Sequence, residues 1–364
     1  MPHPRPRFID VRFAALVPLF ALASLLALAC EESSATTNPE PVTLTVVSWG
    51  GAYQAAMTEA WFEPYAAEKP HVTLLQQEPT DYGALEAMAG GDVTWDVVDV
   101  ENDFGLDGTA HLLEPIDCVK VPCDELQPER YQTTGYRVPV MLWGLVMAYR
   151  ANAWGGDAPE SWADFFDLDR FPGTRAVRRS GPGSGILEGA LLADGVDPDA
   201  LYPLDVERAL AKLATIADHI VWWEDGQQCA DLLAIGTAQM GVCYNGRVYD
   251  VQQAGAPVVI QWNGALIQAD YLVVPRGSSN VAAAMDFIAY MTSAENNARL
   301  AEFISYAPAN INAVDNVPAS IRLHLPSTYA DVTIPRDDTW LEGNFDAVAS
   351  RFEEWLEEVD AGSP

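Results

Sequence analysis

The stretch Val42-Thr43-Leu44-Thr45-Val46-Val47-Ser48-Trp49-Gly50-Gly51-Ala52-Tyr53 decides how the chain is built. Residues 42–48 form an apolar, β-branched run that reads as a buried strand. Two glycines follow, and residues 52–68 carry a helical pattern. The same order returns at once, with strand at 72–76, helix at 82–89 and buried strand at 96–100. Such alternation predicts an α/β fold with parallel strands. Residues 48–53 fall at the carboxyl end of the first strand, where open α/β sheets take their ligands. Glycines there let backbone amides approach a ligand, with Trp49 or Tyr53 as its wall. A tight turn above a core tryptophan is the other reading.

Downstream, residues 137–149 form a long extended segment containing Pro139. A second series follows: apolar runs at 174–178 and 189–194, helix 205–217, strand 220–223, helix 228–234 and strand 238–244. Short apolar strands return at 258–262 and 271–274, then helices at 282–291 and 294–304. The last helix, 344–358, sets Phe345, Val348, Phe352, Trp355 and Leu356 on one face against acids on the other. Two α/β series separated by extended segments predict two lobes with a discontinuous division. Residues 42–141 plus 262–305 form one lobe, and 142–261 plus 306–364 form the other. The extended segments serve as hinges.

Upstream, Arg5, Arg7 and Arg12 precede the mostly apolar run 13–29, which ends in Ala27-Leu28-Ala29-Cys30. A charged start, an apolar run and small residues are the layout of an export signal. The run is short of the roughly 20 apolar residues of a membrane-spanning helix. Cys30 after a small residue resembles the lipobox of bacterial lipoproteins, in which the signal is cut before a cysteine that carries a lipid anchor. Ala27 stands where that pattern commonly has leucine, and cleavage after Ala29 also fits Ala-x-Ala. The expected layout is a signal peptide at 1–29 and a flexible tether at 30–41. The mature chain is then exported, periplasmic or lipid-anchored at the outer face of a bacterial membrane. Beyond Cys30 four cysteines remain. An even number in an exported chain reads as two disulfides, and proximity favours Cys118–Cys123 and Cys229–Cys243. Zinc ligands and free thiols are the rival readings. Zinc is disfavoured by the spacing and by the absence of a nearby histidine.

Against 20 Lys and Arg the chain has 52 Asp and Glu, a net charge of −32. Since residues 1–29 contribute +2, the part from Cys30 on carries −34. Such a surface repels phosphate backbones and anionic lipid, so no nucleic-acid partner is expected and the membrane is met through the anchor alone. High net charge also keeps a chain soluble and monomeric. His-Glu-x-x-His, Cys-x-x-Cys, Gly-x-x-x-x-Gly-Lys and Gly-x-Ser-x-Gly are all missing. Gly181-Pro182-Gly183-Ser184-Gly185 lacks a phosphate loop's lysine, and the histidines are scattered. No catalytic group, cofactor or metal is expected. What remains are aromatics and two opposite charges at strand ends. Trp143 lies in the extended segment. Arg247 follows Tyr244-Asn245-Gly246 at the end of an apolar strand, and its planar fork suits a carboxylate, in a ligand or in a structural salt bridge. Asp270 enters the strand 271–274, where it holds an ammonium or caps a strand end.

Val46 to Tyr53, Leu201-Tyr202-Pro203-Leu204-Asp205-Val206, Tyr244 to Arg247, Asp270 to Ser278 and Tyr306-Ala307-Pro308-Ala309-Asn310 form an ordered set. That set resembles the exported substrate-binding proteins of ABC importers, in the polyamine (spermidine/putrescine) and γ-aminobutyrate branch, over most of residues 42–313. The resemblance implies a two-lobed periplasmic-binding-protein fold of type II, each lobe a mixed sheet flanked by helices and closing on a ligand. It also implies an ABC permease in the inner membrane as partner. Asp270 falls on the amine-binding aspartate of the polyamine binders, and Arg247 on the carboxylate-binding arginine of the γ-aminobutyrate binders. Gln268 stands where the polyamine binders usually have tryptophan. A buried arginine repels a dication, whereas an arginine and an aspartate at opposite ends of a cleft complement a linear zwitterion. Aromatic walls hold the methylenes and favour the ammonium. The expected ligand is therefore an ω-amino acid such as γ-aminobutyrate, held by Trp49, Tyr53, Trp143, Arg247 and Asp270, with a polyamine as the alternative. A ferric-ion binder would need a Tyr-Tyr pair, and a secreted hydrolase a nucleophile–base pair. Neither is present.

Overall fold

Strand β1 (Val42–Val47) carries Leu44, Val46 and Val47 without exposure, as expected of a strand covered on both faces. A computed structural model describes residues 39–89, 91–126, 131 and 134–362; the segment 1–29, Cys30 and nearly all of the tether lie outside the described residues. Gly50 and Gly51, with φ of 78° and 60°, turn the chain from β1 into the helix Gly51–Met57. A Cβ at Gly50 would lie 2.7 Å from the Glu78 carboxylate, so the turn admits little else. The helix runs on through a wider turn, Thr58–Phe62, into Glu63–Glu68, and packs Phe62 and Tyr65 against Phe287.

The other strands are β2 (Val72–Gln77), β3 (Val97–Val100), β4 (Val138–Arg150), β5 (Arg175–Arg178), β6 (Ile220–Trp223), β7 (Met240–Tyr244), β8 (Val258–Val273), β9 (Ala307–Pro308) and β10 (Ile334–Pro335). Their order is β2-β1-β3-β8-β4-β7-β5-β6, with β10 on β8 and β9 on β4. Strands β4 and β8 run antiparallel from Val138↔Leu272 to Arg150↔Val258. Parallel β1, β2 and β3 join one end of this pair, where Val98 meets Val273. Strand β7 joins the other end through Leu145↔Tyr244 to Tyr149↔Met240, and parallel β5 and β6 complete that side. Two long strands thus cross between two helix-flanked half-sheets, which is the two-lobed α/β architecture. Residues 307–310 lie with the first half. Strand β9 pairs with Met141 and Leu142, and Asn310 bonds to Asn297 and Thr292.

Three elements differ from the sequence expectation. The short strands at 258–262 and 271–274 are one strand of 16 residues, in which Asn263, Gly264 and Gln268 interrupt the apolar pattern. The run 189–194 belongs to the helix Ile186–Ala193. There Gly189 faces the Trp162 ring so closely that a Cβ would sit 2.4 Å from it. After β7 the chain turns straight into the helix Asn245–Gln253, so Arg247 sits in a first helical turn rather than in a loop. Disulfides join Cys118 to Cys123 and Cys229 to Cys243, the pairing that proximity favours.

Candidate functional site

The carboxyl ends of two parallel sets, β1 and β3 in one half-sheet and β5, β6 and β7 in the other, converge on one cleft of about 490 Å³. Trp49 follows β1, Glu101 follows β3, Arg178 ends β5, Glu224 follows β6 and Tyr244 ends β7. The crossing strands supply the floor through Met141, Trp143 and Asp270. All five residues singled out from the sequence, Trp49, Tyr53, Trp143, Arg247 and Asp270, line this cleft.

Arg247 stands in the cleft wall, 8 % exposed. Its Nη2 donates to the Gly50 carbonyl at 3.4 Å, and Gly51 lies against the guanidinium, 3.6 Å from a notional Cβ. Among the described residues no carboxylate pairs with it within 4.0 Å, so the structural salt bridge is not formed. Arg175 shows how this chain saturates a buried cation. Its three guanidine nitrogens donate to the carbonyls of Phe165, Gly173 and Phe171 at 2.8, 2.9 and 2.6 Å. Arg247 keeps most of its donors for something else. Asn245 sets its position. The Asn245 carbonyl oxygen Oδ1 accepts from the Gly144 amide at 2.8 Å, and Nδ2 donates to the Ser305 carbonyl at 2.6 Å. Gly246 then lets the Tyr306 ring close on the helix, since a Cβ there would fall 2.5 Å from it.

On the crossing strands the indole of Trp143 donates to Asp270 Oδ1 at 2.6 Å, and beside them the Tyr53 hydroxyl donates to Asp99 Oδ2 at 2.5 Å. Burial, then repulsion from Asp99 and Glu101, raises the Asp270 carboxyl well above the usual range. Burial also raises Asp99, to about 7, against the hydrogen bonds that favour its charge. Aromatics line the same cleft. Trp143 and Tyr244 meet edge-on with centroids 5.0 Å apart, and Tyr53 and Tyr306 at 5.8 Å. Burial raises the Tyr244 phenol to about 12, so it remains a hydrogen-bond donor at neutral pH. A cleft with this guanidinium, this carboxyl and these aromatics can pair an anion, pair a cation and cover an aliphatic stretch.

The sequence reading missed Glu101, Arg178, Tyr244 and Tyr306. Arg178 donates to the Tyr244 hydroxyl at 3.2 Å and lies 6.0 Å above the Trp223 ring. The signal that nominated Trp49, the carboxyl end of a parallel strand, applies equally to Glu101, Arg178 and Tyr244. Tyr306 reaches the cleft only through tertiary packing. Of the Trp222-Trp223 pair, Trp223 is buried under Tyr244, and Trp222 packs on Phe352 and Trp355.

Residues 60–324 match the family described as bacterial extracellular solute-binding protein. The γ-aminobutyric acid-binding protein of Pseudomonas aeruginosa is 32 % identical over 93 % of this chain and 96 % of its own length. The spermidine/putrescine-binding periplasmic protein of Escherichia coli is 20 % identical over 62 % of this chain and 64 % of its own length. Among solved structures, the Atu4243 GABA receptor superposes with a TM-score of 0.80 at 39 % identity, covering 86 % of this chain and 97 % of the receptor. With the match running through the strands and helices that build the cleft, the chain belongs to the bacterial extracellular solute-binding proteins, which carry a small molecule to an ABC transporter.

Proposed function

We propose that this protein binds a linear ω-amino acid such as γ-aminobutyrate, with the carboxylate on Arg247, the ammonium on Asp270, and Trp49, Tyr53 and Trp143 around the methylenes. The observation that carries the reading is Arg247, a buried guanidinium in the cleft wall with no ion pair among the described residues, facing the same space as Asp270. A dication there meets a like charge, whereas a zwitterion pairs both desolvated ends. The names of the Pseudomonas relative and of the GABA receptor agree with this ligand. The two half-sheets close on it by bending β4 near Gly144 and β8 near Gly264, with residues 306–317 moving with 42–141 rather than with 142–261. The mature protein acts as a monomer, periplasmic or anchored through Cys30. Calorimetry on the chain from Cys30 on tests the ligand. Saturable binding of γ-aminobutyrate and weak or absent binding of putrescine is expected. Putrescine or spermidine binding tightly with no response to γ-aminobutyrate overturns the reading in favour of a polyamine.

A further inference from the structure

We infer that Asp99 is held as a neutral carboxylic acid that donates a hydrogen bond to Asp270, so that the amine end of the cleft presents one negative charge and not two. The inference rests on the reading of Asp270 as the ammonium-binding residue. Asp99 sits opposite Leu272 in the pairing of β3 with β8, which places it diagonally beside Asp270 on the same sheet face. Both are buried, at 1 % and 3 % exposure. Tyr53 donates to Asp99 Oδ2 and Trp143 donates to Asp270 Oδ1. Asp99 Oδ1 is left buried without a hydrogen-bond partner. A bare carboxylate oxygen in that position forfeits its solvation, while an O–H there is satisfied by the neighbouring carboxylate.

Two carboxylates in contact do not both ionise at neutral pH. Burial raises both, and the contact between the two carboxyls favours one charge over two, so the pair keeps one proton. Asp99 lies behind the cleft lining with Oδ1 buried and unpartnered, whereas Asp270 borders the cleft, and this places the proton on Asp99. The hydrogen bonds then form a donor chain from Tyr53 to Asp99 to Asp270, met from the other side by Trp143. The groups facing the pair are Trp49 and Tyr53 after β1, Glu101 after β3, Trp143 on β4, Tyr244 on β7 and Tyr306; Arg247, Arg178, Glu224 and Asp225 line the same cleft. Neither cation makes an ion pair with Asp99 or Asp270 among the described residues. With Asp99 neutral, the pair presents one negative charge, which a single ligand ammonium compensates; a second ammonium finds no further charge in the pair. Asp99 acts through Asp270 as a positioning residue, without touching the ligand.

Asp99→Asn tests this, because its amide N–H replaces the acid O–H toward Asp270 while its oxygen keeps the Tyr53 bond. At pH 7 the variant is expected to bind γ-aminobutyrate within about threefold of wild type, while Asp270→Asn loses about tenfold or more. Raising the pH to about 9 ionises Asp99 in the wild type and improves putrescine relative to γ-aminobutyrate by about tenfold; Asp99→Asn shows no such change. Equal losses for Asp99→Asn and Asp270→Asn make Asp99 an ionised second acceptor and overturn the inference. Carbon-13 titration of the aspartate carboxyls decides the point without ligand. One carboxyl should titrate at about 7 or above and lose that titration in Asp99→Asn. If every aspartate carboxyl titrates below about 5, the neutral acid is refuted. If that titration is present but γ-aminobutyrate does not bind wild type, the ligand assignment alone falls.

Discussion

Replacing Arg247 by methionine removes the charge and keeps most of the side-chain volume. In the wild type the guanidinium is buried, held by one long bond to the Gly50 carbonyl, and paired with no acid among the described residues. Its removal breaks no ion pair within 4.0 Å and takes from Asp250, one turn further along the same helix, only a through-space charge, so the folded state should lose little, with a melting temperature near that of wild type. The bound ligand carries the loss, because its carboxylate enters the cleft without a partner. Truncating one member of a desolvated, hydrogen-bonded charge pair costs about 2–5 kcal/mol, or about 30-fold to 4,000-fold in Kd. Calorimetry with γ-aminobutyrate measures the loss directly, and a parallel titration with a monoamine of the same chain length should show almost none. Retention of γ-aminobutyrate affinity within about threefold by a folded Arg247→Met protein would refute the pairing. An equal loss for the monoamine would mean that Arg247 shapes the cleft rather than reading a carboxylate.

Further expectations follow from the packing and the buried acids. Gly246→Ala puts a methyl group 2.5 Å from the Tyr306 ring, so it should destabilise by about 1–3 kcal/mol and weaken ligand binding as Tyr306 is displaced; chemical denaturation and calorimetry report the two effects. Asp99, Asp270, Glu101, Glu188 and Asp338 are all raised above ordinary carboxyl values, chiefly by burial, with Asp99 near 7. The folded state thus keeps protons that the unfolded chain releases between about pH 4 and 7. Ligand-free stability should fall as pH rises through that window, and melts from pH 5 to 8 would show it; a rising melting temperature would contradict it. Removing the second disulfide as Cys229→Ala/Cys243→Ala should cost about 2–3 kcal/mol on the loop-entropy account, read by denaturant unfolding under oxidising conditions.

The strand β1, its glycine turn and the following helix were legible because a β-branched run, two glycines and a helical period coincide within residues 42–68. The long crossing strand β8 was not, because Asn263, Gly264 and Gln268 break its apolar pattern where it leaves one half-sheet for the other. A chain-local reading takes such a break for a loop. The helix Asn245–Gln253 was hidden for a related reason. Its apolar face is thin, and its position comes from Asn245 bridging Gly144 and Ser305, contacts distant in sequence. Arg247 and Asp270 were legible as scarce or oddly placed charges and through the family resemblance. Asp99 was not, because it sits within a buried strand and its role arises only when Tyr53 and Asp270 are brought against it.

The pairing of Val98 with Val273 has a consequence for the order in which the molecule can be made. During synthesis the first half-sheet acquires β2, β1 and β3 early, yet the neighbour that seals β3 arrives only after the entire second half has been translated. Until then one edge of the nascent sheet is open, and closing it requires a very long loop to come together, which is slow. The topology itself thus postpones a compact native state until the last crossing strand is available.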